Sequence, residues 1–186
     1  MGTQVLEQAI GSTRSVLATV KKDQLSSSTP CASWKVSELI NHIVGGQLFF
    51  AAMVNGDEIG NAPPDFSAGD FLATFDQASK EAVAAFSADG AMSKICHLPF
   101  GDMPASVFVN IAATDTFTHG WDLARATGQS TDLAPGLAEG LLAGAKAMIP
   151  ESFRGPEGKS PFAAEQTAPA GASNADQLAA FLGRTV

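Results

Sequence analysis

Asp115, His119 and Asp122 are the residues of this 186-residue chain whose types and spacing most readily do chemistry. They fall at i, i+4 and i+7 within a strongly apolar stretch from Val107 to Ala126, so a helix there stacks them on one face. A carboxylate and an imidazole one turn apart can reach a single cation from the same side. His42 is the complementary donor. It follows Leu39 by three residues and precedes Gly45-Gly46, so it is expected to point inward, with the small residues letting a neighbouring helix or a ligand approach. Facing helices that present His42, Asp115 and His119 would form a three-ligand site with open positions. Two neutral imidazoles and one ionised carboxylate leave a divalent ion with residual positive charge, which acidifies a bound water or thiol. This donor set fits catalytic zinc and equally fits non-haem iron(II). The plainer reading is a helix-surface Asp–His hydrogen bond and a core His42; the apolar surroundings weigh against it, because buried polar groups need partners.

The elements that must position these residues read as helices. Apolar residues recur at helical spacing over 3–23, with Leu6, Ala9, Ile10, Thr13, Val16, Leu17 and Val20 on one face. Ser26 to Pro30 breaks that stripe. A second helix is expected over 36–55, ending at Gly56, with Ser33 rather than Lys35 as its local cap. A surface connection over 60–69 precedes a third helix over 70–87, which Asp89-Gly90 ends. Residues 95–103 read as an extended, hairpin-like excursion around Pro99-Phe100-Gly101. Pro104 suits the first turn of a fourth helix that stops at Gly128. A fifth helix over 135–148, a loop over 150–172 and a short helix over 174–182 complete the chain. Four main helices with long connections predict an all-α bundle forming one domain over 1–186.

Composition excludes several classes. Lys+Arg 11 against Asp+Glu 19 gives a net charge of −8, a field that repels nucleic acid. Two isolated cysteines, Cys31 and Cys96, make neither a disulfide framework nor a Cys-only zinc site, and the expected setting is the reduced cytoplasm. Each is expected to be a small, partly buried thiol with no basic residue in a catalytic pattern beside it. With three histidines, any metal must recruit a carboxylate. His97, in an irregular segment, is set aside as a ligand because ligands are best held on rigid elements. The N-terminus lacks the basic start and apolar run of a secretory signal, and the apolar stretch 43–54 is about half a membrane span. Trp34 and Trp121 read first as core.

Thr29 to Gly46, with His42 inside it, resembles the metal-ligand helix of the DinB-like superfamily. More narrowly, it is similar to the actinobacterial family of mycothiol-dependent maleylpyruvate isomerase metal-binding domains. Leu98-Pro99-Phe100-Gly101, the Asp115-to-Gly128 segment and the ending Ala180-Phe181-Leu182-Gly183-Arg184 carry the same likeness. The resemblance implies a DinB-like four-helix bundle with a short C-terminal helix, and it maps the ligand set onto His42, Asp115 and His119. It further implies a divalent metal, zinc first and nickel or iron otherwise, that binds a low-molecular-weight thiol such as mycothiol as its thiolate for attack on an electrophile. A thiol-dependent transferase or isomerase is therefore the expected function. The isomerase's additional C-terminal domain has no counterpart, so maleylpyruvate is not the expected substrate. Asp122 is the catalytic candidate, orienting His119 or a water; an ion pair with Arg125 or another cation is its other reading. Two rival expectations stand beside the enzyme: a non-catalytic metal- or ligand-binding stress protein, and a metal-free helical module acting as a homodimer. No nucleic acid or membrane partner is expected.

Overall fold

The structure, a computed structural model, describes residues 2–31, 33–58, 60, 64–156, 159–160 and 162–186. Parts of the loops expected at 60–69 and 150–172, and Ala32 of the segment before the second helix, lie outside the described residues. The elements are α1 (Gln4–Leu17), α2 (Val36–Asn55), α3 (Phe71–Ser87), the hairpin β1 (Ile95–Leu98) and β2 (Gly101–Pro104), α4 (Ala105–Thr127), α5 (Pro135–Met148) and α6 (Asn174–Phe181). This is the expected all-α bundle with a short C-terminal helix.

Local chemistry accounts for most boundaries. Asp70 accepts the Ala73 N–H at 3.0 Å to start α3, and Ser173 accepts that of Asp176 at 3.1 Å to start α6. Gly56 and Gly128 end α2 and α4 in the left-handed conformation, as expected. Two boundaries differ. Instead of running to residue 23, α1 stops at Leu17, because Gln129 Nε2 and Thr19 Oγ1 both donate to the Val16 carbonyl, each at 3.1 Å. The N-cap position of α2 belongs to Lys35 and not Ser33; the Glu38 carboxylate reaches back to accept the Lys35 N–H at 2.7 Å.

α4 is the axis of the molecule. α1 packs most extensively against it, α2 packs on both α4 and α3, and α5 and α6, paired with each other, also touch α4. Every residue from Thr116 to Ala124 is buried, so this helix has no solvent face there. Below that stretch Phe50, Phe86 and Phe108 stack edge to face or tilted at 5.7–5.8 Å, each burial contributing about 1.5–3 kcal/mol. Gly120 lets α1 approach: a Cβ there would collide with Thr13 Oγ1 and lie 3.1 Å from the Thr13 Cβ. Thr13 Oγ1 donates to the Thr116 carbonyl at 2.8 Å, and Gln47 Nε2 donates to Thr116 Oγ1 at 2.8 Å. Polar bonds from α1 and α2 thus meet on α4 between Asp115 and His119, which fixes the rotation of that helix. Among the described residues no helix is long and apolar enough to cross a membrane.

Candidate metal centre

His42 on α2 and Asp115 and His119 on α4 converge where the two helices face each other. His42 Nε2 lies 3.7 Å from Asp115 Oδ2, and His119 Nε2 lies 3.5 Å from Asp115 Oδ1. Both separations are too long for hydrogen bonds. They are close to the spacing, about 3.4 Å, between neighbouring ligand atoms of a tetrahedral ion with bonds of about 2.1 Å. His42 Nε2 is a buried atom with no hydrogen-bond partner among the described residues, an unusual state for an imidazole nitrogen. The donor set therefore fits a divalent cation better than it fits a set of internal hydrogen bonds. Gly46 borders the site: a Cβ there would sit 3.8 Å from Asp115 Oδ2 and from the Phe50 ring. The site is open on this side, with His42 36% and Asp115 34% exposed.

The other nitrogen of His119 is enclosed. Its Nδ1 lies 3.0 Å from Asp122 Oδ2, one turn further along α4, and Asp122 has no exposed surface. The same oxygen accepts the Cys31 thiol at 3.2 Å and Arg184 Nη2 at 3.0 Å, while Arg184 Nε donates to Oδ1 at 3.2 Å. With Nδ1–H donated to Asp122, the neutral His119 ring carries its lone pair on Nε2, toward Asp115 and His42. Cys31, His119 and Asp122 lie within ligand reach of one another as well. The Arg184 cation bonded to both Asp122 oxygens makes that group a hydrogen-bonded support and not a second cation site.

A short loop presents Cys31 and Trp34. Thr29 Oγ1 accepts the Cys31 N–H at 3.2 Å and lies 3.0 Å from the Trp34 carbonyl, while Trp34 N donates to the Cys31 carbonyl at 2.8 Å. The turn sets the Trp34 ring 4.7 Å from the His42 ring and 5.8 Å from that of His119, closing one flank of the imidazole pair.

Charge is distributed accordingly. Burial opposes ionisation of Asp115, yet His119 and His42 overcome it and hold its carboxyl far below the usual carboxylate range. Burial likewise opposes the charge on Asp122, but His119 and Arg184 bring its pKa to about 2. For His119 burial disfavours the proton, and Asp115 with Asp122 outweighs it, so its pKa stands well above that of a free imidazole. In the metal-free protein a proton thus resides where a cation would bind, and the two compete.

Of the residues singled out from sequence, His42, Asp115 and His119 are brought together and Asp122 touches His119. The cation beside Asp122 is Arg184, not Arg125. His97 lies on β1, 78% exposed and paired with Asp102, and is not among the converging donors. Cys96 and Trp121 are core residues, and Trp121 Nε1 donates to Asp176 at 2.8 Å. One expectation is corrected: Cys31 does have a basic neighbour, Arg184 Nη2 at 3.7 Å. Trp34, half-buried, packs against the core as expected and lines the site as well. Arg184 enters the sequence reading only within the family-like ending and not as a site residue. The physical signal for it is Asp122: a carboxylate in so apolar a helix needs a cation, and the chain has only 11 Lys and Arg to supply it.

Two proteins of Mycobacterium tuberculosis, uncharacterised protein Rv0738 and uncharacterised protein MT0763, are each 46% identical to this chain over 171 residues, covering 92% of it and 91% of each relative. No solved structure matches the chain. The family model for the mycothiol maleylpyruvate isomerase N-terminal domain matches residues 6–124, the span that runs from α1 through all three converging donors and Asp122. On that match over most of its length, the chain belongs to the mycothiol maleylpyruvate isomerase N-terminal domain family.

Proposed function

We propose that the chain binds one divalent metal ion through His42, Asp115 and His119, and that the bound ion serves a low-molecular-weight thiol in transfer to an electrophile or in thiol-assisted isomerisation. The observation that carries this reading is the convergence of two imidazole Nε2 atoms and one carboxylate at 3.5–3.7 Å, with His42 Nε2 lacking any hydrogen-bond partner among the described residues. Zinc is the first choice for two nitrogens and one carboxylate with open positions, nickel or iron the others. When bound, such an ion acidifies a coordinated thiol and holds it as a thiolate.

The chain's own residues have distinct parts. Asp122 orients His119, and Asp115 supplies the negative charge that a cation requires. Trp34 keeps water from one flank of the imidazoles, while the exposed edges of His42 and Asp115 leave a way in for a small molecule. Membership of a mycothiol-named family supports mycothiol as the thiol.

Metal analysis is the decisive test. Protein purified without chelator should carry about one equivalent of metal, falling to near zero in His42→Ala and His119→Ala. Metal-loaded protein should then consume mycothiol together with at least one member of an electrophile panel. Metal without turnover would favour a non-catalytic binding protein; a metal-free wild type that cannot be loaded would sink the reading.

A further inference from the structure

Arg184 lies outside the residues that the family model matches, in the turn that follows α6, yet it reaches into the centre of the molecule. α6 ends with the Gly183 N–H bonded to the Ala180 carbonyl at 3.0 Å and the Arg184 N–H bonded to the Ala179 carbonyl at 2.9 Å. That pattern is a Schellman turn with Gly183 left-handed at φ +93°. The turn is held from outside by Ala163, whose Cβ would stand 2.7 Å from any Cβ at position 183. Arg184 Nη1 then donates to the Leu182 carbonyl at 3.1 Å, and the rest of the guanidinium forks onto Asp122. The side chain is 16% exposed, so it is committed to this contact and does not swing into solvent.

A His–Asp pair on one helix can rotate about its χ angles unless the carboxylate is itself held. Asp122 Oδ2 already accepts from His119 and Cys31, and a single carboxylate oxygen serving both would leave its plane undetermined. The planar, two-point grip of a guanidinium removes that freedom, which an ammonium cannot do. We infer that Arg184 is a positioning residue for the metal centre: its fork onto Asp122 fixes the carboxylate that aims the His119 imidazole, with Nε2 toward Asp115 and His42. The C-terminal turn would thereby belong to the site although it contributes no ligand. This inference rests on the metal-binding reading above, and it assigns to Arg184 no contact with the ion or with a bound thiol substrate.

The test compares zinc affinity, measured against a competing chelator, in the wild-type protein and in Arg184→Ala and Arg184→Lys, each checked for folding by circular dichroism. Loss of a residue that orients a ligand typically weakens binding about 10–100-fold. Arg184→Ala should fall in that range while still taking up one equivalent at saturating zinc, and Arg184→Lys should recover part of the loss. A second readout needs no metal: the His119 Nδ1–H resonance, seen in a proton–nitrogen spectrum of the metal-free wild type, should broaden or vanish in Arg184→Ala. A purely structural ion pair would lower the melting temperature without altering the chelator competition of the folded variant. Unchanged zinc affinity in folded Arg184→Ala, or in Arg184→Lys if the alanine variant does not fold, overturns the inference. A wild type that binds no zinc overturns the metal reading instead, so the two failures are distinguishable.

Discussion

The two nitrogens of His119 face different worlds. On the Nδ1 side, Asp122, Cys31 and Arg184 form a cluster in which both Asp122 oxygens are occupied and Asp122 itself has no exposed surface. On the Nε2 side, Asp115 and His42 stand half exposed at separations too long for hydrogen bonds, and a buried nitrogen has no partner among the described residues. Satisfied polar groups stabilise a fold, whereas convergent unsatisfied ones mark a place for something else. The contrast teaches that one imidazole can anchor the protein through one nitrogen and offer a ligand through the other. Mutations on the Nε2 side should therefore cost the metal with little change in stability, whereas those on the Nδ1 side should cost stability outright and only part of the metal affinity.

Removing the shared ring should have the largest effect. His119→Ala should abolish metal uptake, read by elemental analysis, and also destabilise the metal-free protein, because Asp122 loses a partner. Next comes Asp122→Ala, which strands Arg184 without its counter-ion; chemical denaturation of the metal-free protein should show a loss of about 3–5 kcal/mol. His42→Ala should do the reverse, losing the metal while moving metal-free stability by about 1 kcal/mol or less. Equal destabilisation by the Asp122 and His42 variants would erase the distinction between the sides. Gly120→Ala tests the scaffold behind both: forcing a methyl against Thr13 should cost about 1–3 kcal/mol by denaturation and weaken metal binding through the shift of α4.

Acid should act on the His119 imidazole and on its carboxylate partners with opposite sign. The raised pKa of His119 means that, without metal, its stabilising contribution is complete below about 6.5 and is lost as pH rises through the higher folded value. The lowered pKa of Asp122 makes its contribution complete above about 4 and lost as pH falls toward its folded value of about 2. Metal-free protein should therefore be most stable in the mildly acidic window between these limits. Bound metal must displace the His119 proton, so affinity should fall with decreasing pH from well above 6.5 downward. Melting temperatures of metal-free and zinc-loaded protein between pH 5 and 9 would reveal this as a gap that widens with pH, and a constant gap would count against His119 ligation. The smallest effect is expected at Cys31→Ser, whose hydroxyl can still donate to Asp122: stability should change by about 1 kcal/mol or less.

Much of this molecule was legible in its residues. α2 and α4 run where apolar spacing put them and stop at Gly56 and Gly128, since turn and cap chemistry acts within a few residues. The buried run from Thr116 to Ala124 has no solvent-facing side, which is why periodicity could not say which neighbours enclose α4. α1 ended early for a reason that local pattern contains only in part: the Val16 carbonyl is shared by Thr19, three residues on, and by Gln129, 113 residues away.

The sequence by itself determined the helices, their stops and the placement of Asp115, His119 and Asp122 on one face, because helical spacing is a property of neighbours along the chain. Only the tertiary structure decided which nitrogen of His119 is closed off and by what. Cys31 and Arg184 reach Asp122 from 91 and 62 residues away, and such meetings depend on how helices pack and where the last turn points. Packing turned three donors on two helices into an open half and a sealed half of one site.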